Sequence, residues 1–324
     1  MIRWGIVGAG NIAHTFAKDL ALVKNNKLNA VASRSLEKAR EFADTYGAPN
    51  SFGSYEDMFK SNTVDVVYIA TPHTSHAEVS ILAMDYNKNV LCEKPMSVNL
   101  GQVQRMLDKA KEKKVFLMEA LWSRFNPTIR EVKKLVDNGE IGEVGYLKAD
   151  FAFYGLDRDE QGRILNPDLA GGSVLDIGIY PIFLSYLLLG MPKRITAQSK
   201  FHKTGVEIQT AMIFEYENAL SMMYSGLSSN SEMKAEIAGS SGSIFIKPRW
   251  HETTGYILEK GDEVNDVELG KLGKGYTYEI EEVQRCLENG QLESDLWSHQ
   301  NTIDLCSLMD SVRKEAGIMF PFES

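Results

Sequence analysis

The chain has 324 residues, more than one hydrophobic core usually holds, so we expect two domains. The formal net charge of −9 argues against nucleic acid as a partner, because phosphate contacts need clustered Lys and Arg. The longest apolar run, 177–191, contains Pro181 and is too short to span a bilayer, so we expect a buried helix and no membrane association.

The cysteines and the first residues indicate the compartment. The three cysteines are far apart and odd in number, so they form neither a disulfide framework nor a zinc-binding spacing. The first strand begins at once, without the charged and apolar regions of a signal peptide. We therefore expect a cytoplasmic protein in which Cys92, Cys286 and Cys306 are buried, reduced thiols.

A glycine turn near the start of the chain separates a strand pattern from a helix pattern. Residues 2–7 predict a short buried strand, and residues 11–23 carry apolar side chains at helical spacing. Gly8 permits a tight turn, and Gly10 lets a diphosphate approach the backbone with no Cβ in the way. Ala13 stands in place of a third glycine and still allows close packing of the helix on the strand. The amides at the start of the helix would face phosphate groups, so this stretch predicts dinucleotide binding.

Strands and helices alternate up to residue 119. Predicted strands cover 28–33, 64–71, 90–92 and 115–119, with a short one around Ser51, and predicted helices cover 37–46, 55–60, 75–86 and 100–113. The apolar run over 64–71 is typical of a strand buried on both faces. The alternation predicts a parallel, doubly wound sheet, that is, an α/β Rossmann domain over residues 1–121.

The pattern changes at about residue 122. A helix over 126–138 and a strand over 144–154 precede a glycine-bearing loop over 155–172 and a helix over 173–189. Strand-like runs follow at 194–201, 207–216, 219–224, 234–238, 243–246 and 255–259, before helices at 277–288 and 297–314. We therefore expect residues 122–324 to form an α+β domain with an open, mostly antiparallel sheet, which binds substrate.

The exposed face of the open sheet and the apolar face of the last helix must both pack against another part of the protein or against a partner. A partner subunit is the economical cover for the exposed sheet face, so we expect a homodimer, with a tetramer as the alternative. The C-terminal helix, about 297–316, could pack back on the first domain.

The end of the second strand predicts the nucleotide. An NAD site normally places Asp or Glu there to hold the ribose 2′-hydroxyl, whereas this chain has Ser33 and Arg34, with Lys38 a turn later. Ser33 can donate to a 2′-phosphate, and Arg34 can pair with it and stack on the adenine. We therefore expect NADP(H) rather than NAD, and the alternative for these side chains is a solvated basic helix start.

Polar residues also follow the fourth strand. Thr71, Pro72 and His73 come at the carboxyl edge of the sheet, where ligands gather in open α/β folds. His73 and His76 could form a metal pair, but neither a carboxylate nor a third histidine accompanies them. We expect cofactor contact here and no metal site.

Three motifs carry a resemblance to a known family. These are the first-strand glycine fingerprint, the Glu-Lys-Pro triplet at 93–95, and the segments 118–127 and 171–180. Together they resemble the family of glucose–fructose oxidoreductase, inositol dehydrogenase and MocA, and within it the branch of dimeric dihydrodiol dehydrogenases and bacterial xylose dehydrogenases. Several family members carry His where this chain has Tyr180, and this difference agrees with the dihydrodiol-type branch.

The resemblance implies roles for three residues. Lys94 would point at the reacting oxygen, with a cis bond to Pro95, and Asp176 and Tyr180 would share a helix face that meets the nicotinamide across a domain cleft. Alcohol oxidation moves hydride to the nicotinamide and a proton to a base. A free tyrosine titrates near 10, so a nearby ammonium of Lys94 would lower the tyrosine pKa and stabilise a developing alkoxide. We favour Tyr180 as the proton carrier, with Lys94 as the open alternative. Asp176 would orient the lysine or bind a substrate hydroxyl.

Aromatic and basic residues beyond the sixth strand complete the candidate site. Trp122, Arg124 and Phe125 are candidates for cofactor and substrate contact, and interdomain packing is the equal alternative. Phe153 and Tyr154 could line the same cleft. Arg163 could reach substrate or a phosphate, but we favour a solvated arginine. The expected cofactor-binding set is Gly8, Gly10, Asn11, Ile12, Ser33, Arg34, Lys38, Thr71, Pro72, His73, His76, Glu93, Lys94, Glu119, Trp122 and Arg124. The expected substrate-binding set is Lys94, Trp122, Phe125, Phe153, Asp176 and Tyr180.

These expectations describe an oxidoreductase that transfers hydride between NADP(H) and the secondary alcohol or carbonyl of a sugar, polyol or trans-dihydrodiol. An NAD-dependent inositol or sugar dehydrogenase is the alternative enzyme. A non-catalytic NADP-binding regulator is the alternative from another class, but such a regulator would not need Lys94, Asp176 and Tyr180 together.

Overall fold

The computed structural model describes residues 1–323, and the chain divides into two compact units. The first unit comprises Met1–Phe125 and Leu272–Ile303, and the second comprises Asn126–Lys271 and the chain from Asp304 onward. Each unit is built around one large sheet.

The first unit contains a six-stranded parallel sheet. Its strands are β1 (Ile2–Val7), β2 (Asn26–Ala32), β3 (Asn50–Phe52), β4 (Val66–Ile69), β5 (Asn89–Glu93) and β6 (Leu117–Ala120). The connecting helices are α1 (Asn11–Leu20), α2 (Leu36–Tyr46), α3 (Tyr55–Lys60), α4 (His76–Asp85) and α5 (Leu100–Lys113). The strand order β3-β2-β1-β4-β5-β6 confirms the predicted doubly wound sheet. The order reverses between β1 and β4, and a ligand crevice forms at this point in such folds.

Side-chain caps mark the starts of three of these helices. Ser35, Ser54 and Asn99 each accept a hydrogen bond from an amide in the first turn of α2, α3 and α5, respectively. Each cap satisfies one of the amides that a helix start leaves open. In contrast, the residue before α1 is Gly10, which has no side chain to cap the helix, so the first amides of α1 remain available to another acceptor.

The second unit is built on an eight-stranded sheet. Its strands are β7 (Val144–Ala152), β8 (Arg194–Phe201), β9 (Glu207–Glu215), β10 (Leu220–Gly226), β11 (Ala235–Gly239), β12 (Gly242–Ile246), β13 (Gly255–Lys260) and β14 (Glu263–Glu268). Its first helices are α6 (Pro127–Asp137) and α7 (Ile179–Leu189). The order is β14-β13-β12-β11-β7-β10-β9-β8. Only β7 and β10 pair in parallel, which confirms the expected α+β fold with a mostly antiparallel sheet.

One face of this sheet is covered by helices. Helix α7 packs on β7 and β10, and α6 packs on α7. Along β9, Met212 and Phe214 are buried, whereas Ala211 and Ile213 between and beside them are exposed. This alternation is typical of a sheet with one face on the core and one face outside it.

Strand β14 was not predicted. Only Val264 and Val267 are apolar within it, and almost all of its side chains are exposed at the sheet edge. The hydrophobic alternation that identifies a strand is therefore too weak here, and pairing with β13 provides the stabilisation instead.

The apolar helix predicted over 173–189 begins with a π-helical turn, Val174–Gly178, that continues into α7. Among residues 1–323, one helical stretch, Pro167–Leu189, is long and apolar enough to cross a bilayer. However, 89% of its apolar window is buried inside the protein. It is therefore the core helix that the sequence predicts.

Two helices end the chain, α8 (Thr277–Glu288) and α9 (His299–Ala316). The sequence-based boundary at 122 put α8 in the second domain, but residues 272–303 belong to the first unit. Two contacts explain this. The Leu117 amide of edge strand β6 donates to the carbonyl of Leu292 at 3.1 Å. The buried carboxylate of Asp19 accepts from the amides of residues 274–276 at 2.8–2.9 Å. Such partners are distant in sequence, so local periodicity does not reveal them.

Candidate active site

The glycine turn after β1 has the geometry of a phosphate cradle. Gly8 has φ +98°, and a Cβ there would lie 2.7 Å from the carbonyl oxygen of Ala70, so only glycine fits. A Cβ on Gly10 would meet no protein atom within 4 Å, so the space beside it is open. This space and the uncapped amides of Asn11 and Ile12 at the start of α1 fit the diphosphate of a dinucleotide.

The loop after β4 presents a further polar group at the same edge of the sheet. Thr71 Oγ1 is buried and has no hydrogen-bond partner among residues 1–323. Buried hydroxyls normally have a partner, so a polar ligand atom at this edge fits the unpaired oxygen. Pro72 precedes a single 3₁₀ turn that begins at the half-buried His73.

Two exposed cations lie at the end of β2 and the start of α2. Arg34 and Lys38 are both exposed, and Ser33 Oγ accepts from the amide of Ser35 at 3.3 Å. Burial raises the pKa of Tyr55, and the nearby positive charge of Arg34 opposes this rise. A hydroxyl and two cations at a helix start fit a phosphate monoester.

The segment that carries Lys94 leaves the sheet at the end of β5. The Lys94–Pro95 bond is cis, as the resemblance implied. The carboxylate of Glu93 is 6% exposed, accepts from the Lys94 amide at 3.1 Å, and also accepts from the Tyr68 hydroxyl. The side chain of Glu93 therefore holds the backbone amide of Lys94, the next residue in the chain.

Glu119 holds the same segment two residues after Lys94, at Met96. It is 2% exposed, and its Oε1 accepts from the Met96 amide at 2.8 Å. Its Oε2 accepts from Trp297 Nε1 at 3.2 Å and from Thr302 Oγ1 at 3.1 Å. Burial raises the pKa of Glu119, and these donors and the charge of Lys94 oppose the rise. Glu119 was expected to contact the cofactor. In the structure both of its oxygens tie the Lys94 segment to residues 297–302.

His76 was also expected to bind the cofactor, and it is fully buried. Its Nδ1 lies 2.9 Å from the carbonyl oxygen of Pro95, and its Nε2 lies 2.9 Å from that of Thr71. Burial lowers the pKa of His76. The ring thus joins the loop after β4 to the Lys94 segment.

The residues after β6 pack within the first unit. The ring of Trp122 stacks on Tyr276, with centroids 4.8 Å apart and an interplanar angle of 3°. Arg124 Nε donates to the carbonyl oxygen of Leu296 at 2.8 Å, and Phe125 is 1% exposed.

In the second unit, the helical segment over 174–189 carries Asp176 and Tyr180. Arg163, expected to be solvated, binds Asp176 with 2.8 Å between its Nη1 and the Oδ1 of Asp176. The ring of Tyr180 is 5% exposed and lies against Phe151 and His251, with centroids 5.4 Å and 5.3 Å away.

Phe153 is half-buried, and its ring sits where a Cβ on Gly155 would approach to 3.1 Å. It lies on the chain beyond the end of β7, two residues after the Phe151 that touches Tyr180. The sequence analysis singled out Phe153 but not Phe151.

The sequence analysis did not identify four residues that contact the candidate residues or the segment that carries them. These are Phe151, His251, Tyr276 and Glu207. His251 follows a tryptophan in a short turn between strands, and Tyr276 follows a glycine-rich stretch, so both had weak local signals. The clearest missed signal is the pair Gly171 and Gly172 before the helix, because paired glycines often mark a close approach of another group. That group is Glu207, since a Cβ on Gly172 would lie 1.9 Å from its Oε2.

Comparisons with known proteins agree with this geometry. Residues 2–121 match the oxidoreductase family with an NAD-binding Rossmann fold, and residues 129–245 match the GFO/IDH/MocA C-terminal domain. The chain is 34% identical to trans-1,2-dihydrobenzene-1,2-diol dehydrogenase of Mus musculus, an alignment that covers 99% of this chain and 98% of the relative. It is 32% identical to scyllo-inositol 2-dehydrogenase (NADP(+)) of Bacillus subtilis (strain 168), with 99% of both chains covered.

A solved structure supports the fold. A 3-ketoreductase from Actinomadura kijaniata, in complex with NADP and TDP-benzene, superposes with a TM-score of 0.89 over 97% of this chain and 98% of that one. Its sequence is 24% identical, so this likeness concerns the fold alone. The two domain matches and the full-length relatives confirm the family expected from the motifs: the chain belongs to the GFO/IDH/MocA family of NAD(P)-binding oxidoreductases.

Proposed function

We propose that the protein is an NADP-dependent dehydrogenase or reductase that acts on a secondary alcohol or carbonyl of a sugar, polyol or trans-diol. The observation that carries the proposal is the fixed setting of Lys94, held by Glu93 on one side and, through Met96, by Glu119 on the other. A lysine on a solvated turn would not need two buried carboxylates around its backbone. The similar dihydrodiol and inositol dehydrogenases support the substrate class.

The end of β2 supports NADP as the cofactor. Ser33, Arg34 and Lys38 provide a hydroxyl and two cations, and the end of β2 carries no carboxylate that would repel a 2′-phosphate. The B. subtilis relative is named as an NADP(+) enzyme, which agrees with this assignment. When bound, the nicotinamide supplies the hydride acceptor or donor.

The chain's own residues handle the proton. In the oxidation direction, Tyr180 accepts the proton of the substrate hydroxyl, and in reduction it returns that proton to the carbonyl oxygen. The ammonium of Lys94 stabilises the negative charge that develops on the substrate oxygen. Asp176, held by Arg163, binds a neighbouring substrate hydroxyl. Lys94 is the alternative proton carrier.

A substrate screen tests this proposal. Purified protein is mixed with NADP+ and a panel of trans-diols, inositols and aldoses, and nicotinamide absorbance is followed. Tyr180→Phe and Lys94→Met should each lower kcat at least about 100-fold, because general acid–base catalysis contributes that much or more. Tyr146→Phe is the matched control, since Tyr146 is a half-buried tyrosine of β7, six residues before the end of that strand. Cofactor binding without turnover of any substrate would favour a non-catalytic regulator, and near wild-type turnover in either variant would contradict its role.

A second part of the proposal is a homodimer formed through the open sheet, with a tetramer as the larger alternative. Ile213 of β9 pairs with Met222 of β10, and the two are 44% and 42% exposed. Leu220, also on β10, is 48% exposed. Adjacent exposed apolar side chains of this kind are typical of protein interfaces. Light scattering should give a mass above the 36.2 kDa of one chain, and Met222→Lys should lower it.

We also propose a cytoplasmic location. Cys92, Cys286 and Cys306 are all buried thiols outside any disulfide, and burial raises the pKa of Cys286 to about 12. Buried, protonated thiols suit a reducing compartment. Fractionation of the producing cells tests the location, and recovery outside the cytoplasm would contradict it.

A further inference from the structure

The segment that carries Asp176 and Tyr180 begins with open amides. Its π-helical turn, Val174–Gly178, starts after Ser173, whose side chain makes no capping hydrogen bond. The first amides of a helical segment have no partners within it, and in a buried position they need acceptors from elsewhere. Val174, Asp176 and Gly178 are all buried, so the acceptor must come from the protein itself.

Glu207, the first residue of β9, supplies this acceptor. Its side chain is 1% exposed, and its Oε1 accepts from the Val174 amide at 2.5 Å. Ser173 adds further hydrogen bonds to the same carboxyl from its backbone and its side chain. The carboxyl therefore lies directly at the start of the helical segment.

Gly172 is shaped to admit this carboxyl. Its φ is +119°, and a Cβ there would lie 1.9 Å from Oε2 of Glu207. No side chain larger than hydrogen fits while the carboxyl stays in place. The missing side chain of Gly172 therefore leaves the space that the carboxyl of Glu207 occupies.

A second contact fixes the same segment to β10. Ser173 Oγ lies 2.9 Å from Ser225 Oγ, and a Cβ on Gly178 would approach Ser225 Oγ to 3.0 Å. The segment is thus held close to the sheet two residues before Tyr180. Ser225 therefore contacts the segment at both Ser173 and Gly178, and Glu207 binds beside the first of these positions.

We propose that Glu207 is a positioning residue that sets the place of Asp176 and Tyr180 by binding the amides at the start of their helical segment. The catalytic consequence rests on the proposed function, whereas the structural one does not. Glu207 acts through the backbone of residues 173 and 174, from which its carboxyl accepts hydrogen bonds.

The charge of Glu207 gives this arrangement a pH dependence. Burial raises the pKa of Glu207 to about 7, and the hydrogen bonds from Val174 and Ser173 oppose the rise. The ionised carboxyl is therefore less favourable in this buried position than in a solvated, open segment. The elements packed against β9 also carry titratable or charged groups, namely Asp176 on the π-helical turn, Tyr224 on β10, Lys200 on β8 and His202 after it.

The first experiment needs no substrate. Hydrogen exchange of the amides of residues 173–180 is measured by mass spectrometry in the full chain for the wild type, Glu207→Ala and Glu207→Gln. Removing the acceptor in Glu207→Ala should raise exchange at least about tenfold. Glu207→Gln keeps an oxygen that can accept from Val174, so it should restore most of the protection. Equal exchange in the wild type and Glu207→Ala, or no rescue by Glu207→Gln, would overturn the proposal.

The same measurement at two pH values covers the case in which Glu207→Ala does not fold. Corrected for intrinsic rates, protection of residues 173–176 in the wild type should fall about threefold to tenfold from about pH 6 to about pH 8, because opening the segment solvates the ionised carboxyl. Glu207→Gln should show no such fall. A fall that persists in Glu207→Gln would overturn the proposal.

Kinetics then separate positioning from stability. In the wild type, kcat should change near pH 7, where the carboxyl of Glu207 ionises. In Glu207→Gln this change should disappear, while KM for NADP+ stays within about twofold of the wild type because the cofactor residues are untouched. Glu215→Gln is the matched control, since Glu215 lies on the same strand and pairs with the exposed Arg194 at 2.6 Å. If no substrate is turned over, the proposed function fails and the exchange result still decides the role of Glu207.

Discussion

The guanidinium of Arg163 lies 2.8 Å from the carboxylate of Asp176 and ties the loop over 155–172 to the helical segment that carries Tyr180. The two partners differ in exposure: the side chain of Arg163 is 53% exposed and that of Asp176 is 10% exposed. An ion pair with one exposed partner adds little stability, about 0–1 kcal/mol. Its place beside a candidate substrate residue suggests that it orients rather than stabilises.

The first prediction follows from this pair. Arg163→Leu should raise the substrate KM about tenfold, because Asp176 loses the charged donor that fixes its carboxylate. The free energy of unfolding should change by less than about 1 kcal/mol. Steady-state kinetics and urea unfolding check both parts. Arg158→Leu is the control, since Arg158 is exposed and pairs only weakly with its neighbour Asp157 at 3.8 Å. Equal KM values in the two variants would refute a role in orientation.

The two glycines of the first turn should respond differently to alanine. Gly8→Ala places a Cβ 2.7 Å from Ala70 O at positive φ, so the protein should lose at least about 2 kcal/mol of stability. Gly10→Ala meets no protein atom within 4 Å, so its stability should match the wild type while NADP+ binding weakens at least about tenfold. Calorimetry and cofactor fluorescence separate the two effects. Gly47→Ala, at a helix end with open space, controls for backbone strain alone. Unchanged cofactor affinity in Gly10→Ala would place the diphosphate elsewhere.

Arg34 should decide between the two nucleotides. Arg34→Ala should weaken NADP+ binding about tenfold to 100-fold, because a charge-assisted bond to a phosphate contributes about 1.5–3 kcal/mol. NAD+ has no 2′-phosphate, so its Kd should change little. Parallel titrations of both nucleotides measure the ratio. Arg40→Ala, an exposed position on the same helix, is the control. If wild-type protein binds NAD+ more tightly than NADP+, the cofactor assignment is wrong.

Glu119 should matter for both stability and rate. Glu119→Gln keeps an oxygen for the Met96 amide but turns an amide group toward the donors of Trp297 and Thr302, so at least one buried donor loses its acceptor. The expected loss of stability is about 1–3 kcal/mol. The kcat should fall as well, because the Lys94 segment is less firmly held. Glu112→Gln, whose carboxylate is 61% exposed, is the control, and equal unfolding curves for the two variants would contradict this account.

The pH dependence of stability should carry the signature of Glu207. Its pKa is raised from 4.5 to about 7 in the folded chain, so the folded state holds this proton more tightly than the unfolded chain does. The corresponding stability is present below about pH 4.5 and is lost as pH rises to about 7, a difference of about 3 kcal/mol. Relative to the wild type, Glu207→Gln should therefore gain stability by about this amount over that range. Urea unfolding at both ends of the range measures the change, and a constant difference between the two proteins would show that Glu207 does not titrate there.

The sequence by itself determined the elements of the first unit and the family. The strand, glycine turn and helix at the start, the alternation up to β6 and the triplet at 93–95 are local patterns, and local backbone preferences fix them. The parallel, doubly wound sheet and the family membership followed from these patterns and were confirmed. The NADP assignment also came from a local feature, the end of β2.

The tertiary structure alone decided which distant groups support the candidate residues. Glu119 meets Trp297 and Thr302, Asp19 meets the amides of 274–276, and Glu207 meets Val174, and none of these pairs is close in the chain. The same holds for residues 272–303, which join the first unit through such contacts. Periodicity and spacing report only on neighbours within a turn or a strand. A buried carboxylate finds its donors when whole elements pack, so its partners are a property of the fold rather than of any one segment.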